Sequence, residues 1–242
     1  MTGYFQRHWP LLLVLVLLSI AIAASLKLLL GNTAGRLIYV LDDPYIHMAI
    51  AKNFSQKGVW GVTGSGFTSN SSSLLWTALL SAVYYFTSPN EVAPLVINII
   101  VCTALVFWLY RLLLKHQLHS VYLFFVLIVI TFVTSFPLLI FAGLEHTLQV
   151  LINFVFVVSA ARFLSEDRKH PADKAIMLFL APVLVLVRYE GLFLIFTVCC
   201  LLLLRRKYGL AFWIFGLALF RLPATAPFRC GKGGIFFPIQ YC

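Results

Sequence analysis

The stretch AIMLFLAPVLVLVRYEGLFLIFTVCCLLLL, residues 175–204, decides the fold. Read as one helix at 1.5 Å per residue it runs for about 45 Å, well beyond the ~30 Å hydrocarbon core of a bilayer. Arg188 and Glu190 would then sit near mid-membrane, where ionisable side chains are costly. The basic residues before it (Arg168, Lys169, Lys174) and after it (Arg205, Arg206, Lys207) would also face opposite sides. Two short helices meeting at Arg188-Tyr189-Glu190-Gly191 keep both clusters on one side and raise the polar corner towards the other surface. Positive charge collects on the cytoplasmic face. The sequence therefore predicts a hairpin.

The rest of the chain follows the same logic. Of 242 residues 62% are hydrophobic and 11% charged, and mean hydropathy is +0.97. A soluble domain needs roughly a quarter of its residues charged; lipid is the expected solvent here. The net charge of +10 lies in short clusters between apolar runs, which argues against nucleic acid as a partner and for charges that set topology. Cys102, Cys199 and Cys200 fall inside apolar runs, and the five cysteines show no metal spacing.

Residues 9–30 form the expected first span, too long for a secretory signal, with Arg7 and His8 before it and Lys27 placed to snorkel at the outer end. Further apolar runs lie at about 92–114, 121–140, 148–163, 175–187, 191–204 and 210–220. The run at 74–86 is too short to cross; Trp76, Tyr84 and Tyr85 suit it to the interface. If it does not cross, Arg111 with Lys115, then Arg162 to Lys174, then Arg205 to Lys207 all face the cytoplasm. The predicted fold is an all-α polytopic membrane protein of about seven transmembrane helices. Residues 31–90 form a large first extracytoplasmic loop with interfacial helices, residues 92–220 supply the remaining spans, and the N-terminus is cytoplasmic.

That topology gathers Asp42, Asp43, Glu145, His146, Arg188 and Glu190 on the outer side. Asp43 suits an N-cap and Pro44 the first helical position, with Ile46, Ala49, Ile50 and Phe54 as an apolar stripe. Capping accounts for Asp43 but leaves Asp42 as a second carboxylate. Two adjacent carboxylates can take a hydroxyl proton or hold a hard divalent cation. The segment Gly143-Leu144-Glu145-His146 reads either as a plain turn or as part of a site. Arg188 and Glu190 can neutralise each other, and a guanidinium at headgroup depth also suits a phosphate. The run Thr68-Ser69-Asn70-Ser71-Ser72-Ser73 is either a simple loop or a set of hydroxyl donors. His47 and His146 are singletons without zinc spacing.

Taken in order, Asp42-Asp43-Pro44-Tyr45-Ile46, Gly58-Val59-Trp60, Thr68-Ser69-Asn70 with Leu75-Trp76, Gly143-Leu144-Glu145-His146 and Arg188-Tyr189-Glu190-Gly191 resemble motifs of the C-type (GT-C) polytopic membrane glycosyltransferases. The nearest likeness is to the bacterial branch of arabinofuranosyltransferase-like and mannosyltransferase-like proteins, over about residues 5–220. His146 stands where that branch has Thr, and Tyr189 where it has Pro.

The resemblance implies an enzyme of the cell inner (plasma) membrane. Such an enzyme transfers a sugar, with inversion, from a polyprenyl-phosphate-linked donor to an extracytoplasmic glycan, lipid or protein acceptor. Asp42 or Asp43 would be the general base, and Arg188 with His146 would hold the donor phosphate. Glu145 and Glu190 would orient Arg188 or bind a divalent cation, the one cofactor the resemblance leaves open.

Members of that family are usually longer, and residues 221–242 change character. Phe236-Phe237-Pro238 begins like a family segment that Ile239-Gln240-Tyr241-Cys242 does not continue, so the sequence reads as a truncated or frameshifted copy whose product lacks activity. The competing class is a non-catalytic polytopic protein, a transporter fragment or lipid-binding subunit. No internal repeat favours it.

Overall fold

The computed structural model describes residues 2–68, 70–165 and 171–220. Ser69, Arg168, Lys169 and the tail 221–242 lie outside the described residues. Among those described, the chain is wholly helical: α1 (Thr2–Asn32), α2 (Asp43–Lys57), α3 (Leu74–Thr87), α4 (Val92–Leu113), α5 (Ser120–Val133), α6 (Phe136–Phe141), α7 (His146–Leu164), α8 (Pro171–Val187), α9 (Gly191–Leu204) and α10 (Tyr208–Phe220). Three stretches are long and apolar enough to cross a membrane: His8–Asn32, Val92–His116 and His146–Leu164. The helices Leu74–Thr87, Ser120–Val133, Gly191–Leu204 and Tyr208–Leu219 are apolar but shorter. Phe193, Phe212 and Leu138 each stand about three-quarters exposed. Surfaces like this are covered by lipid or by another protein rather than by water.

The chain breaks at residues 188–190, as expected. The Arg188 N–H still bonds to Leu184 O at 3.0 Å, and the Gly191 N–H then turns back to Arg188 O at 3.0 Å. A Cβ on Gly191 would stand 2.9 Å from Leu184 O, so the corner closes tightly only on glycine. Helix α10 packs against both α8 and α9, and α7 packs against α8.

Other expectations need correction. The run 121–140 is not one helix: it stops at Val133, Ser135 takes a left-handed φ of 57°, and α6 restarts with Pro137 in its first turn. Asp43 is not the N-cap of α2. Asp42 occupies that position and makes no side-chain cap bond, while Asp43 opens the helix ahead of Pro44. The buried face of α2 is Pro44, His47, Met48 and Ala51 with Ile50, so of the expected stripe only Ile50 is fully buried and Phe54 is exposed. On α3, Trp76 and Tyr84 are buried within the protein, and Tyr85 alone of the three expected aromatics is exposed. Sequence pattern marked these rings as amphipathic; contact with α2 decided where they went.

Apolar side chains collect in three clusters. One joins α7 to α10, around Phe156, Met177, Leu184 and Ile195. A second joins α1, α4, α5 and α6, around Leu18, Leu105, Leu127 and Ile140. The third is the small α2–α3 core of Met48, Ala51, Trp76 and Leu80, closed by Tyr39 and Ala93. Leu148, one turn into α7, packs on both the first and the third, so the polar residues at the start of α7 lie at their seam.

Candidate functional site

The seam is built from the turn before α7. Gly143 has φ +69°, and a Cβ there would meet the Tyr39 ring at 2.6 Å. The Tyr39 hydroxyl donates to Glu91 O at 2.7 Å, and its backbone N–H donates to the Tyr45 hydroxyl at 2.9 Å. Burial pushes the Tyr39 phenol well above its ordinary value, so it stays protonated. This packing holds Glu145 under the α2–α3 unit at 1% exposure.

From above comes His47, also 1% exposed. Its Nδ1 lies 2.7 Å from Thr77 Oγ1, and Thr77 itself donates to Ser73 O at 2.9 Å. Ser71 Oγ also lies 2.8 Å from Thr77 Oγ1, so Nδ1 is anchored in a polar knot of Ser71, Ser73 and Thr77. Ser72 Oγ, on an exposed residue, lies 3.2 Å from Nε2, and Glu145 Oε2 lies 3.8 Å from it. Burial lowers the His47 pKa; Glu145 and Asp43 oppose that shift and Arg188 adds to it. Burial therefore favours the neutral imidazole.

From the side comes the α8–α9 corner. Arg188, 27% exposed, directs Nη1 to Glu145 Oε1 at 3.4 Å and to His146 Nδ1 at 3.3 Å. Guanidinium only donates, so His146 Nδ1 is the acceptor. The other edge forks onto Glu190, Nη2 to Oε1 at 2.8 Å and Nε to Oε2 at 3.1 Å. That hydrogen-bonded pair raises the Arg188 pKa and lowers that of Glu190.

Of the six residues singled out in the sequence, Glu145, His146, Arg188 and Glu190 therefore meet by direct contact. Asp42 and Asp43 are exposed at the start of α2. The charge of Asp43 reaches both His47 and Arg188. Among the described residues no three His, Cys, Asp or Glu side chains are grouped to hold a metal ion. Glu145 and Glu190 face a guanidinium instead, which suits them to orient Arg188. His47 is the residue the sequence reading passed over. Its signal was available: a polar side chain three residues after Pro44 and four before Ala51, on the face that α2 buries.

Chemically, the cluster offers one cationic fork near the surface and a buried carboxylate with one free oxygen. Among the described residues Glu145 Oε2 has no hydrogen-bond partner. Elsewhere a shallow, open groove with apolar walls runs between α1 and α5, lined by Leu17, Ile20, Ile128 and Phe132. No protein-family model matches the chain, and no match was found among curated proteins or solved structures.

Proposed function

We propose that this chain has the architecture of a membrane glycosyltransferase that uses a sugar carried on a polyprenyl phosphate. One observation carries the reading: Arg188 Nη1 lies within 3.4 Å of both Glu145 and His146, so side chains more than forty residues apart supply a single polar site at the edge of an apolar helical framework. In the proposed topology α1, α4, the α5–α6 pair, α7, α8, α9 and α10 make seven passes, and α2 and α3 rest on the extracytoplasmic surface of the plasma membrane. The site then lies in the outer leaflet, where a lipid-borne substrate diffuses past it.

In this mechanism Arg188 takes the donor phosphate, giving up part of its fork onto Glu190 to do so, and stabilises the negative charge that grows as the glycosidic C–O bond breaks. Asp43, exposed and electrostatically linked to the cluster, accepts the proton of the acceptor hydroxyl as it attacks the anomeric carbon from the opposite face; Asp42 is the alternative base. General-base catalysis of this kind contributes ~10²–10⁴-fold. Co-localising donor and acceptor contributes further. A phosphate leaving group needs little acid assistance.

The test uses the protein in proteoliposomes with a panel of radiolabelled polyprenyl-phosphate sugars and the acceptors of a bacterial envelope extract. Transfer by the parent chain that falls at least about a hundredfold in Asp43→Asn or in Asp42→Asn supports the reading. Transfer unchanged in both variants removes the base assignment, and no transfer with any donor, the outcome expected of a truncated copy, removes the catalytic reading for this chain. A second reading, a lipid-binding membrane protein without chemistry, is favoured by one feature: Glu190 and Glu145 already neutralise Arg188. It expects prenyl-phosphate binding without turnover.

A further inference from the structure

We infer that Glu145 Oε2 and His47 Nε2 form a subsite that reads two neighbouring hydroxyls of the donor sugar. The inference rests on the glycosyltransferase reading and names the part of the substrate that the buried half of the cluster takes. Its starting point is a buried acceptor without a donor. Glu145 is 1% exposed; Oε1 is paired with Arg188, and Oε2 has no hydrogen-bond partner among the described residues. A buried acceptor left in that state is costly, more so when charged, and calls for a ligand or water.

Facing it at 3.8 Å is His47 Nε2, on a ring anchored at Nδ1 by Thr77. Ser72 Oγ lies 3.2 Å from Nε2, on a residue that is exposed. A carboxylate oxygen that accepts stands beside an imidazole nitrogen that hydrogen-bonds a hydroxyl in either tautomer, a spacing that matches the two hydroxyls of a vicinal diol. Ser72 occupies one half of that arrangement and can swing outward, since its residue faces solvent. Arg188 borders the same carboxylate. A glycosyl phosphate held by Arg188 therefore places the hydroxyls next to its anomeric carbon towards Oε2 and Nε2, and a bare phosphate leaves them unfilled. Sites that hydrogen-bond a substrate hydroxyl in this way reject analogues lacking it far more strongly than an apolar pocket does.

The experiment measures binding in nanodiscs with three probes: farnesyl phosphate, farnesyl-phosphoryl sugars (a hexose and a pentose), and their 2-deoxy counterparts. The expected result is that at least one sugar-bearing probe binds about tenfold or more tighter than farnesyl phosphate, the equivalent of one charge-assisted hydrogen bond. The margin disappears with the 2-deoxy probe and in Glu145→Gln. It survives or grows in Ser72→Ala, which alters only the exposed competitor. In wild-type protein labelled with 15N-histidine, the His47 Nε2 resonance moves with the sugar-bearing probe and not with farnesyl phosphate. That readout needs no variant to fold. Equal binding of sugar-bearing and bare probes, or a margin that persists in the 2-deoxy series, overturns the subsite while leaving the phosphate site standing. Binding of none of the probes overturns the glycosyltransferase reading and the subsite with it.

Discussion

The Tyr39 ring fills the space that a Cβ on Gly143 would occupy, 2.6 Å from its Cδ1 and Cε1. Two residues more than a hundred positions apart thus set the height of Glu145, which follows Gly143 by two. Gly143 also sits at φ +69°, a region that disfavours L side chains. Gly143→Ala is expected to destabilise the protein by ~2–4 kcal/mol, from backbone strain plus displacement of a packed aromatic ring. Gly35→Ala is the control. Its φ is +80° but nothing lies within 4 Å of the added carbon, so strain acts alone at about 1 kcal/mol. Thermal unfolding in detergent compares the two. Equal losses would show that the Tyr39 contact contributes nothing.

The two carboxylates on Arg188 differ in worth. Glu190 is 55% exposed, and exposed pairs contribute ~0–1 kcal/mol, so Glu190→Gln should leave stability nearly unchanged. Glu145 is 1% exposed. Arg188→Met leaves it buried beside a neutral imidazole and is expected to cost ~3 kcal/mol or more. Unfolding of the two variants side by side checks this. A larger loss in Glu190→Gln would mean that the exposed fork, not the buried contact, holds the corner.

Acid should loosen the α2–α3 unit through His47. Burial holds its folded pKa below the ordinary value of about 6.5. As pH falls through that value, the unfolded chain gains a proton before the folded one does. Stability is therefore full above about 6.5 and declines as pH drops towards the folded pKa. The expected observation is a falling Tm between pH 7.5 and 5.5 that flattens in His47→Gln. Glu145→Gln removes the neighbour that raises this pKa, so His47 should titrate still lower, as followed by its 15N shifts. An upward move would mean that Glu145 does not face the ring.

How much of this was legible in the sequence depends on whether polarity marked the feature. The break at Arg188-Tyr189-Glu190 interrupts an apolar run with two charges, and the structure breaks there. The break at Thr134-Ser135 involves small residues that barely lower hydropathy, and the Pro137 that marks the restart was available but outweighed by run length. Glu145 and Arg188 could be placed together because each ends an apolar run on the same predicted side. His47 could not, because its role comes from which face of α2 meets α3, and α2 carries too few apolar residues to declare that face. Trp76 failed for the same reason: an amphipathic ring suits an interface and a core equally well until its neighbour is known.

Orientation is the prediction on which the proposed chemistry turns, and the broken helix makes it sharp. At 1.5 Å per residue the 14 residues of α5 cover about 21 Å, short of a ~30 Å core. The six residues of α6 bring the pair close to a full crossing. Counted as one pass, α5–α6 leaves Lys115, Arg162, Lys174 and Arg205 to Lys207 all on the cytoplasmic side. Were the chain instead to turn back at Ser135, the later clusters would emerge outside, against the positive-inside tendency. A variant with its five cysteines replaced, carrying one new cysteine at Ser65 or at Lys207, separates the cases; both positions are exposed in loops. In intact cells an impermeant maleimide should label the Ser65 position directly and the Lys207 position only after permeabilisation. Labelling of Lys207 alone from outside would put Arg188 in the inner leaflet, where an extracytoplasmic acceptor never reaches it. Labelling of both would show that the passes between the two positions are miscounted by one, as when the chain turns back at Ser135 or when α3 crosses.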